Sequence, residues 1–478
     1  MALDSVSSEG MGAVLAKQKA AHIRDGIPSA EKRIEWIDKS IDLLVTHGQA
    51  LSDAMCEDFG HRSKDQSALT DIAGTIGALK FSRKHLRTWM RPEKRKVEFP
   101  LGLLGSKAQI QYQPKGVIGI ISPWNFPVNL TFAPLANVFA AGNRAMIKPS
   151  EFTEATSALM KELVEKYYDE EEVAVITGGP DVGATFTALP FDHIVFTGAT
   201  SIARHVMRAA ADNLVPLTLE LGGKSPVILG ESADIQKAAS RIMAGKTLNA
   251  GQICLAPDYA LVPKGKTQDF VAAAQTAVST MFPSGLKDND DYTSVVNQRH
   301  YDRLQSYLED AREKGAEIVE INPTGDNFSQ QPHHKMAPHI IVDPTDDMKV
   351  MQDEIFGPIL PLKSYSDAKE AVGYINANPR PLGLYYFGDD ASERDYVLNN
   401  TTSGGVTVND VIFHVAQEDL PFGGVGPSGM GAYHGRDGFF EFSHKKAIYS
   451  QTGSELLAMM RPPYGEKFRK QVSGRIKQ

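Results

Sequence analysis

A single cysteine, in a turn flanked by glycine and proline, is the residue of this chain best suited to nucleophilic chemistry. Cys254 lies in the segment Gly251-Gln-Ile-Cys254-Leu-Ala-Pro257, between a predicted helix and the predicted strand Tyr259-Ala-Leu-Val262. Glycine and proline interrupt regular structure, so we expect this turn to expose a side chain and to leave backbone N–H groups free. A buried core thiol is the competing interpretation, because free cysteines often pack as small apolar residues.

A carboxylate at the end of an apolar strand is the second candidate for chemistry. Glu220 closes the run Leu217-Thr-Leu-Glu220 and is followed by Leu-Gly-Gly223. An ionised carboxylate is costly to bury, so Glu220 is expected to be paired, protonated or catalytic. A raised pKa would suit a general base. The alternative is a salt bridge with Lys224 or another cation.

Two turns could contact a nucleotide. The segment Phe196-Thr-Gly198-Ala-Thr200-Ser201 ends a strand and opens a helix, which predicts free N–H groups for a phosphate. In Lys148-Pro-Ser-Glu151, an acidic residue follows the second strand, where dinucleotide sites bind ribose hydroxyls. The charge of Glu151 favours NAD, because it would repel the 2′-phosphate of NADP. The turn Ser122-Pro-Trp-Asn-Phe-Pro127 lacks the G-x-G-x-x-G pattern.

Alternating strands and helices must position these residues. Apolar runs are followed by helical segments throughout 116–223, which indicates a parallel sheet covered on both faces. Ligands are then expected beyond the carboxyl ends of the strands. The predicted strands are 117–121, 144–147, 173–176, 193–196 and 217–221, and the predicted helices are 127–141, 153–168 (capped by Thr153) and 200–211. A second alternating block extends from Pro226 to about Gly424 and contains Cys254.

The first hundred residues are predicted to be mainly helical. Apolar residues recur at helical spacing in two stretches, the first of them after Pro28-Ser29. These residues are Ile34, Ile37, Ile41 and Leu44, then Leu69, Ile72, Ile76 and Leu79. The alternating segment 108–113 predicts a strand.

Composition narrows the class of protein. The chain of 478 residues has a net charge of −8, which disfavours a nucleic-acid partner. It contains only 2 cysteines, as expected in a reducing compartment, and no secretory signal or long apolar run is evident, so a cytoplasmic protein without membrane attachment is expected. His333, His334 and His339 lack zinc-ligand spacing, and no metal site is predicted.

Six motifs are spread along the chain: Pro123-Trp-Asn-Phe-Pro127, Lys148-Pro-Ser-Glu151, Phe196-Thr-Gly198, Leu219-Glu-Leu-Gly-Gly-Lys224, Gly251-Gln-Ile-Cys254 and Glu354-Ile-Phe-Gly-Pro358. Together they resemble the aldehyde dehydrogenase family over essentially the whole chain. Their order and spacing match the family. The segments Ala256-Pro-Asp-Tyr259 and 420–434 resemble the branch that acts on aromatic and medium- to long-chain aldehydes, so coniferyl or another aromatic aldehyde is the expected substrate.

The resemblance implies a role for each motif. Cys254 would attack the aldehyde, Asn125 and the N–H of Cys254 would hold the oxyanion, and Glu220 would activate water against the thioester. The cofactor would be NAD, with NADP possible. Its expected contacts are Trp124, Lys148, Ser150, Glu151, Thr197, Gly198, Ala199, Thr200, Ser201, Ile202, Ala203, Leu221, Glu354 and Phe356. Ala203 stands where the family usually has glycine, and the added methyl is expected to change cofactor affinity little.

The resemblance also implies an α/β aldehyde dehydrogenase fold and a homodimer. We expect a Rossmann-like NAD-binding domain in 1–96 and 114–222, an α/β catalytic domain in 223–436, a small β oligomerisation flap in 97–113 and 437–452, and a tail in 453–478. The alternatives are an aliphatic aldehyde dehydrogenase, a CoA-acylating relative, a cysteine esterase or hydrolase, and a non-catalytic protein on the same scaffold. Retention of Glu220 argues against the CoA-acylating relative, and the joint presence of Asn125, Glu220 and Cys254 argues against the non-catalytic one.

Overall fold

The structure is a computed structural model and describes residues 7–99, 101–452 and 461–476. The chain divides into two units. The larger unit consists of Met1–Trp89 and Pro114–Ser443, and the smaller of Met90–Gln113 and His444–Gln478.

Helices and strands alternate along most of the described chain. The helices are α1 Ser8–Asp25, α2 Ala30–Asp58, α3 Lys64–Ser67, α4 Gly74–Trp89, α5 Asn129–Ala141, α6 Glu154–Tyr167, α7 Pro180–Thr187, α8 Thr200–Ala211, α9 Ile235–Thr247, α10 Thr267–Met281, α11 Gln298–Glu313, α12 Lys349–Gln352, α13 Ala368–Ala377, α14 Ala391–Asn400, α15 Gly435–Glu441 and α16 Glu466–Ile476. The strands are β1 Glu93–Arg95, β2 Lys107–Pro114, β3 Val117–Ile121, β4 Arg144–Lys148, β5 Val173–Val175, β6 His193–Thr197, β7 Leu217–Glu220, β8 Pro226–Leu229, β9 Tyr259–Pro263, β10 Glu317–Glu320, β11 His339–Val342, β12 Ile359–Tyr365, β13 Gly383–Phe387, β14 Gly405–Val408, β15 Gly429–Met430 and β16 Ser443–Ser450.

The first large sheet confirms the predicted parallel strands. Its order is β15-β7-β6-β3-β4-β5, and every pairing is parallel except that of β15, which runs antiparallel to β7. Lys148 pairs with Ile121 across β3 and β4, and Glu220 pairs with Thr197 across β6 and β7. The carboxyl ends of these four strands therefore lie in a row along one edge.

The second large sheet carries the cysteine turn. Its order is β10-β11-β12-β9-β8-β13-β14, and only β10 is antiparallel to its neighbour. Alternate residues of β8 enter different apolar clusters: Val227 and Leu229 pack with α9 and α10, and Ile228 packs with α11 and α13. The sheet is thus covered on both faces, and β9, which follows Cys254, lies inside it.

The predicted buried faces of the two N-terminal apolar stretches, 34–44 and 69–79, are only partly confirmed. Ser29 caps α2 as predicted, since its hydroxyl accepts the N–H of Lys32 at 3.2 Å. Ile37 and Leu44 are buried, but Ile34 and Ile41 are only half-buried. Core positions beside them are taken by other residues of α2, among them Trp36 and Leu43. The apolar stripe is therefore rotated from the predicted one.

A π-helical turn, Ala68–Ala73, interrupts the second apolar stretch, 69–79. Leu69 is 68% exposed, so its predicted place on the buried face is wrong. A π turn contains more residues than an α turn and shifts every following side chain around the axis. Asp71, rather than an apolar residue, faces inward within it.

Helix α6 is capped from elsewhere in the chain. Thr153 occupies the predicted cap position, but its hydroxyl makes no capping hydrogen bond. The carboxylate of Asp58 instead accepts the N–H groups of Ala155 and Thr156, at 2.8 and 2.9 Å. The end of α2 therefore stabilises the start of α6, an arrangement that local sequence does not reveal.

The smaller unit contains a three-stranded sheet in the order β1-β2-β16. The predicted strand in 108–113 is confirmed by β2. Within the predicted flap segment 437–452, residues up to Glu441 belong to α15 and only the remainder contributes a strand. Helix α16 in the predicted tail has no buried residue, and 453–460 lie outside the described residues. In the described part of the chain, no helix is long and apolar enough to cross a membrane.

Candidate active site

The Cys254 turn has an unusual backbone that glycine makes possible. Helix α9 is followed by the short 3-10 turn Leu248–Gly251, in which Asn249, Ala250 and Gly251 all have positive φ angles of 49°, 50° and 72°. A side chain on Gly251 would overlap the carbonyl group of Gly357. Cys254 itself is half-buried between buried neighbours. The predicted exposure is therefore only partial.

Gln252 fixes this turn from within, a role that sequence reasoning missed. Its buried side-chain amide donates to the carbonyls of Asn249 at 2.9 Å and Ser294 at 3.0 Å. Its side-chain oxygen accepts the N–H of Val296 at 2.9 Å. A fully satisfied buried amide holds the backbone in one geometry.

The predicted oxyanion donor Asn125 lies against the cysteine turn. Its Nδ2 donates to the backbone carbonyl of Gln252 at 3.1 Å, and the residue is 3% exposed. An asparagine amide carries two N–H groups. One of them is used by Gln252, and the second is available for an oxygen atom near Cys254. Two segments 127 residues apart in the chain are thus brought together.

Glu220 is buried without a hydrogen-bond partner on either carboxyl oxygen in the described structure. Burial, together with the charge of Glu441, raises its pKa well above the ordinary carboxyl value. The alternative of a salt bridge with Lys224 is wrong, because the Lys224 ammonium pairs with Asp258. Its backbone is fixed at the end of β7, where its carbonyl accepts the N–H of Gly198 at 3.0 Å.

A second carboxyl group, that of the half-buried Glu354, completes an electrostatic cluster with Glu220 and Cys254. The carboxyl group lies where a side chain on Gly222 would be, and its Oε1 is buried without a partner. Burial and the charge of Asp258 raise the pKa of Glu354 to about 8. Burial, then the charges of Glu354 and Glu220, raises the pKa of the Cys254 thiol. The thiol therefore needs a positive charge or the loss of a negative one before it ionises.

The predicted cofactor residues Trp124 and Phe356 meet although they are distant in sequence. Their ring centroids are 5.3 Å apart in an edge-to-face arrangement, and His300 lies 5.1 Å from Trp124. Phe356 has a positive φ of 47°. Arg303 holds this loop by donating to the carbonyl of Ile355 at 2.7 Å. Sequence reasoning missed Arg303, which no motif distinguishes.

The motif at the end of β4 forms a closed polar group. The buried Lys148 ammonium donates to Glu151 at 2.9 Å and to the carbonyl of Pro149 at 3.0 Å. The Ser150 hydroxyl accepts the N–H of Phe152 at 3.2 Å. Lys148 and Glu151 thus lie together at the sheet edge beside the turn that carries Asn125.

The turn at the start of α8 does not leave free all the N–H groups that were predicted to bind a phosphate. The N–H of Gly198 is not free, because it donates to the backbone carbonyl of Glu220. The Thr200 hydroxyl donates to the carbonyl of Pro427 at 3.2 Å. The other predicted cofactor residues also lie at this edge. Thr197 ends β6, Leu221 follows β7, and Ala199 precedes α8. Within α8, Ser201 and Ile202 are exposed and Ala203 is buried. The α8 N-terminus still faces the carboxyl edge of the sheet.

Tyr433 is a further buried polar group near the site. Its hydroxyl has no hydrogen-bond partner among the described residues, and its pKa is raised by burial and by the charges of Glu220 and Cys254. The three histidines considered for a metal have other environments: the His333 ring lies 6.0 Å from that of His61, His334 contacts Gln298, and His339 contacts the carbonyl of Ala337. No group of three His, Cys, Asp or Glu side chains suited to a metal occurs in residues 7–99, 101–452 and 461–476.

The site brings the Asn125 amide against the Cys254 turn, and the unpaired Glu220 carboxyl group lies at the carboxyl end of the parallel strand β7. Comparison with known proteins identifies the class of enzyme to which this site belongs. The model of the aldehyde dehydrogenase family matches residues 12–448. The chain therefore belongs to the aldehyde dehydrogenase family and is an enzyme that acts on aldehydes.

Two proteins and one solved structure illustrate which members of the family this chain is similar to. A protein of Caulobacter vibrioides named probable coniferyl aldehyde dehydrogenase is 64% identical over 470 residues, covering 98% of this chain and 97% of its own. The coniferyl aldehyde dehydrogenase of a Pseudomonas species is 52% identical over 463 residues, covering 96% and 95%. A substrate-bound structure of Staphylococcus aureus AldH is similar with a TM-score of 0.90 and 36% identity, covering 96% of this chain and 98% of that one.

Proposed function

We propose that this enzyme oxidises coniferyl aldehyde, or another aromatic aldehyde, to the carboxylic acid with NAD as hydride acceptor. The observation that carries the proposal is the placement of the Asn125 amide against the turn of Cys254, whose thiol interacts electrostatically with the unpaired Glu220 carboxyl group and with Glu354. The two relatives named for coniferyl aldehyde support the substrate.

Cys254 begins the reaction by attacking the aldehyde carbon. The thiolate forms a thiohemiacetal, and the Asn125 amide and the N–H of Cys254 donate to the oxygen that gains negative charge. Bound NAD supplies the hydride acceptor and a positively charged ring. The product of hydride loss is a thioester on Cys254.

Glu220 then acts as general base. Its carboxylate takes a proton from the water that attacks the thioester, which releases the acid and regenerates the thiol. A raised pKa makes Glu220 a stronger base than an exposed glutamate once it is ionised, and the lack of a salt bridge leaves both oxygens available. Burial thus supports this role.

The residues at the sheet edge fit a dinucleotide. Glu354 has a buried carboxyl oxygen without a partner, as expected of a group that accepts ribose hydroxyls. Trp124 and Phe356 would flank the nicotinamide end, and Lys148 with Glu151 would meet the adenosine ribose. Gly198 and the residues that begin α8, together with Ser150 and Leu221, would hold the remainder.

The proposed preference for NAD depends on Glu151. Its carboxylate would repel the added phosphate of NADP, although Lys148 at 2.9 Å offsets part of that charge. Glu151→Gln should therefore raise kcat/KM with NADP several-fold relative to NAD. A wild-type enzyme that prefers NADP would contradict this assignment.

We further propose a cytoplasmic homodimer and the domain division given by the family resemblance. Strand β16 ends the three-stranded sheet, and most of its residues are exposed. A terminal strand of a sheet is a place where a strand of a second chain can add. The low cysteine content supports a reducing compartment.

A substrate panel tests the function. Purified enzyme is assayed for NADH formation with cinnamyl, benzyl and aliphatic aldehydes, and the acid product is identified. We expect the highest kcat/KM with coniferyl aldehyde, equimolar acid and NADH, and no turnover by Cys254→Ser. A higher value for long aliphatic aldehydes would contradict the substrate. Hydrolysis of an aromatic ester without any NAD-dependent oxidation of the aldehydes would indicate a hydrolase.

A further inference from the structure

Arg62 and Asp71 form an ion pair in which both side chains are 0% exposed. The Arg62 Nη2 donates to Asp71 Oδ2 at 2.6 Å. A buried ion pair is weak evidence for stability, because apolar residues of the same volume often serve as well or better. The contacts that the pair makes to its neighbours are therefore more informative than the pair itself.

Arg62 holds the backbone of the proposed oxyanion donor. Its Nη1 donates to the carbonyl oxygen of Asn125 at 2.6 Å, and its Nε donates to the Ser67 hydroxyl at 3.1 Å. The guanidinium lies over the rings of Phe59 and Phe126, at 4.8 and 5.2 Å from their centroids. Hydrogen bonds in the guanidinium plane and rings over its faces leave it one orientation.

Asp71 holds the other end of the same segment. Its Oδ1 accepts the N–H groups of Val128 at 3.2 Å and of Asn129 at 3.1 Å, where α5 begins. The π-helical turn Ala68–Ala73 directs this side chain inward. The segment between Asn125 and Asn129 is thus attached to the ion pair at both ends.

We propose that the Arg62–Asp71 pair positions the Asn125 amide for oxyanion stabilisation. The inference rests on the proposed function, in which Asn125 donates to the developing oxyanion. Asn249 also donates to the Asn125 carbonyl, at 3.1 Å. Loss of Arg62 should therefore loosen the Asn125 peptide without releasing it, and the Nδ2 donor would move away from the reacting oxygen.

A double-mutant cycle between Arg62→Lys and Asn125→Ala tests the proposal. A lysine ammonium cannot bond the carboxylate and the carbonyl in the planar fork of arginine. We expect Arg62→Lys to lower kcat about 10- to 100-fold, since small displacements of catalytic groups have effects of this size. The KM for NAD should change less than about twofold. In the Asn125→Ala background, Arg62→Lys should change kcat by less than about twofold, because the group it positions is gone.

Arg33→Lys is the matched control. Arg33 is 2% exposed and braces the opposite end of α5, with Nη1 donating to the carbonyl of Ala140 at 2.7 Å and Nε to that of Pro28 at 3.1 Å. Its substitution should lower the melting temperature at least as much as Arg62→Lys but leave kcat within about twofold. Asp71→Asn, which keeps the side-chain shape, serves as a second variant if Arg62→Lys does not fold.

The outcomes separate this inference from the proposed function. Additive effects in the cycle, an unchanged kcat in a folded Arg62→Lys or Asp71→Asn enzyme, or an equal kcat loss in Arg33→Lys would overturn the positioning role alone. An unchanged kcat in Asn125→Ala would overturn the oxyanion assignment and, with it, this inference.

Discussion

At the scale of single residues, the site combines polar groups whose burial without hydrogen-bond partners costs folding free energy. Glu220 is buried and unpaired, Glu354 has an unpartnered oxygen, and both raise the pKa of the Cys254 thiol. Such an arrangement persists when binding or catalysis requires it. The raised carboxyl pKa values favour the neutral forms of Glu220 and Glu354 in the resting site, and the positive ring of bound oxidised NAD would favour their ionised forms.

Glu220 should destabilise the folded enzyme at neutral and alkaline pH. Its folded-state pKa is raised, so its contribution to stability is present below the pKa of the unfolded chain and is lost as pH rises through the folded value. Glu220→Gln should therefore have a melting temperature above that of the wild type at pH 8, by roughly 2 °C. The difference should shrink towards pH 4. Calorimetry across this range measures it, and an equal difference at every pH would contradict the raised pKa.

The residues at the site were predictable to different degrees. Cys254 and Glu220 could be selected from their turn and strand contexts, whereas Asn125 required the family resemblance. Gln252, Arg62 and Arg303 act through hydrogen bonds to backbone carbonyls far away in the chain. Gln252 lies inside one of the six motifs, but neither that motif nor any periodicity indicates which distant carbonyls these side chains contact, so sequence reasoning missed their roles.

At the scale of elements, parallel strands were predicted well because fully buried strands are continuously apolar. The failures occurred where an element departs from regular geometry. The π-helical turn Ala68–Ala73 shifted Leu69 to the surface, and the α6 cap came from Asp58 rather than from Thr153. Both features depend on contacts between elements, which a pattern along one segment does not contain.

The cap on α6 gives a prediction with an internal control. Asp58→Ala should lower the free energy of unfolding by about 1–2 kcal/mol, because two N–H groups of α6 lose their acceptor. Thr153→Val should change it by less than about 0.5 kcal/mol, since the hydroxyl it removes makes no hydrogen bond. Urea unfolding compares the two variants. A larger loss in Thr153→Val would show that the helix is capped locally.

The close contact between Gly222 and Glu354 gives a second prediction at this scale. A methyl group at Gly222 would overlap the Glu354 carboxyl group and displace it. Gly222→Ala should therefore raise the KM for NAD about tenfold or more, because the proposed ribose contact is lost. Titration of NAD against protein fluorescence measures binding directly. Unchanged affinity would place the ribose elsewhere.

At the scale of the whole molecule, the order of strands in the two large sheets could not be predicted. Alternation along the chain predicts parallel sheets but does not say which strands are neighbours. The sheet order places the ends of β3, β4, β6 and β7 in one row, and the cysteine turn joins them from the second sheet. The family resemblance supplied this assembly in advance, whereas physical reasoning from the sequence did not.

The proposed homodimer is a prediction at the same scale. Sedimentation equilibrium at micromolar concentration should give twice the mass of one chain, because β16 is a terminal strand of its sheet, where a strand of a second chain can add. A mass of one chain at every concentration would contradict it.

The central claim is that Cys254 and Glu220 share one reaction, the first forming a thioester and the second hydrolysing it. The most direct test is the intact mass of Glu220→Gln after incubation with coniferyl aldehyde and NAD. We predict one acyl group per active site, located on the peptide that contains Cys254, with one equivalent of NADH formed. An unmodified protein, or an acyl group that persists in the Glu220→Gln, Cys254→Ser double variant, would contradict the account.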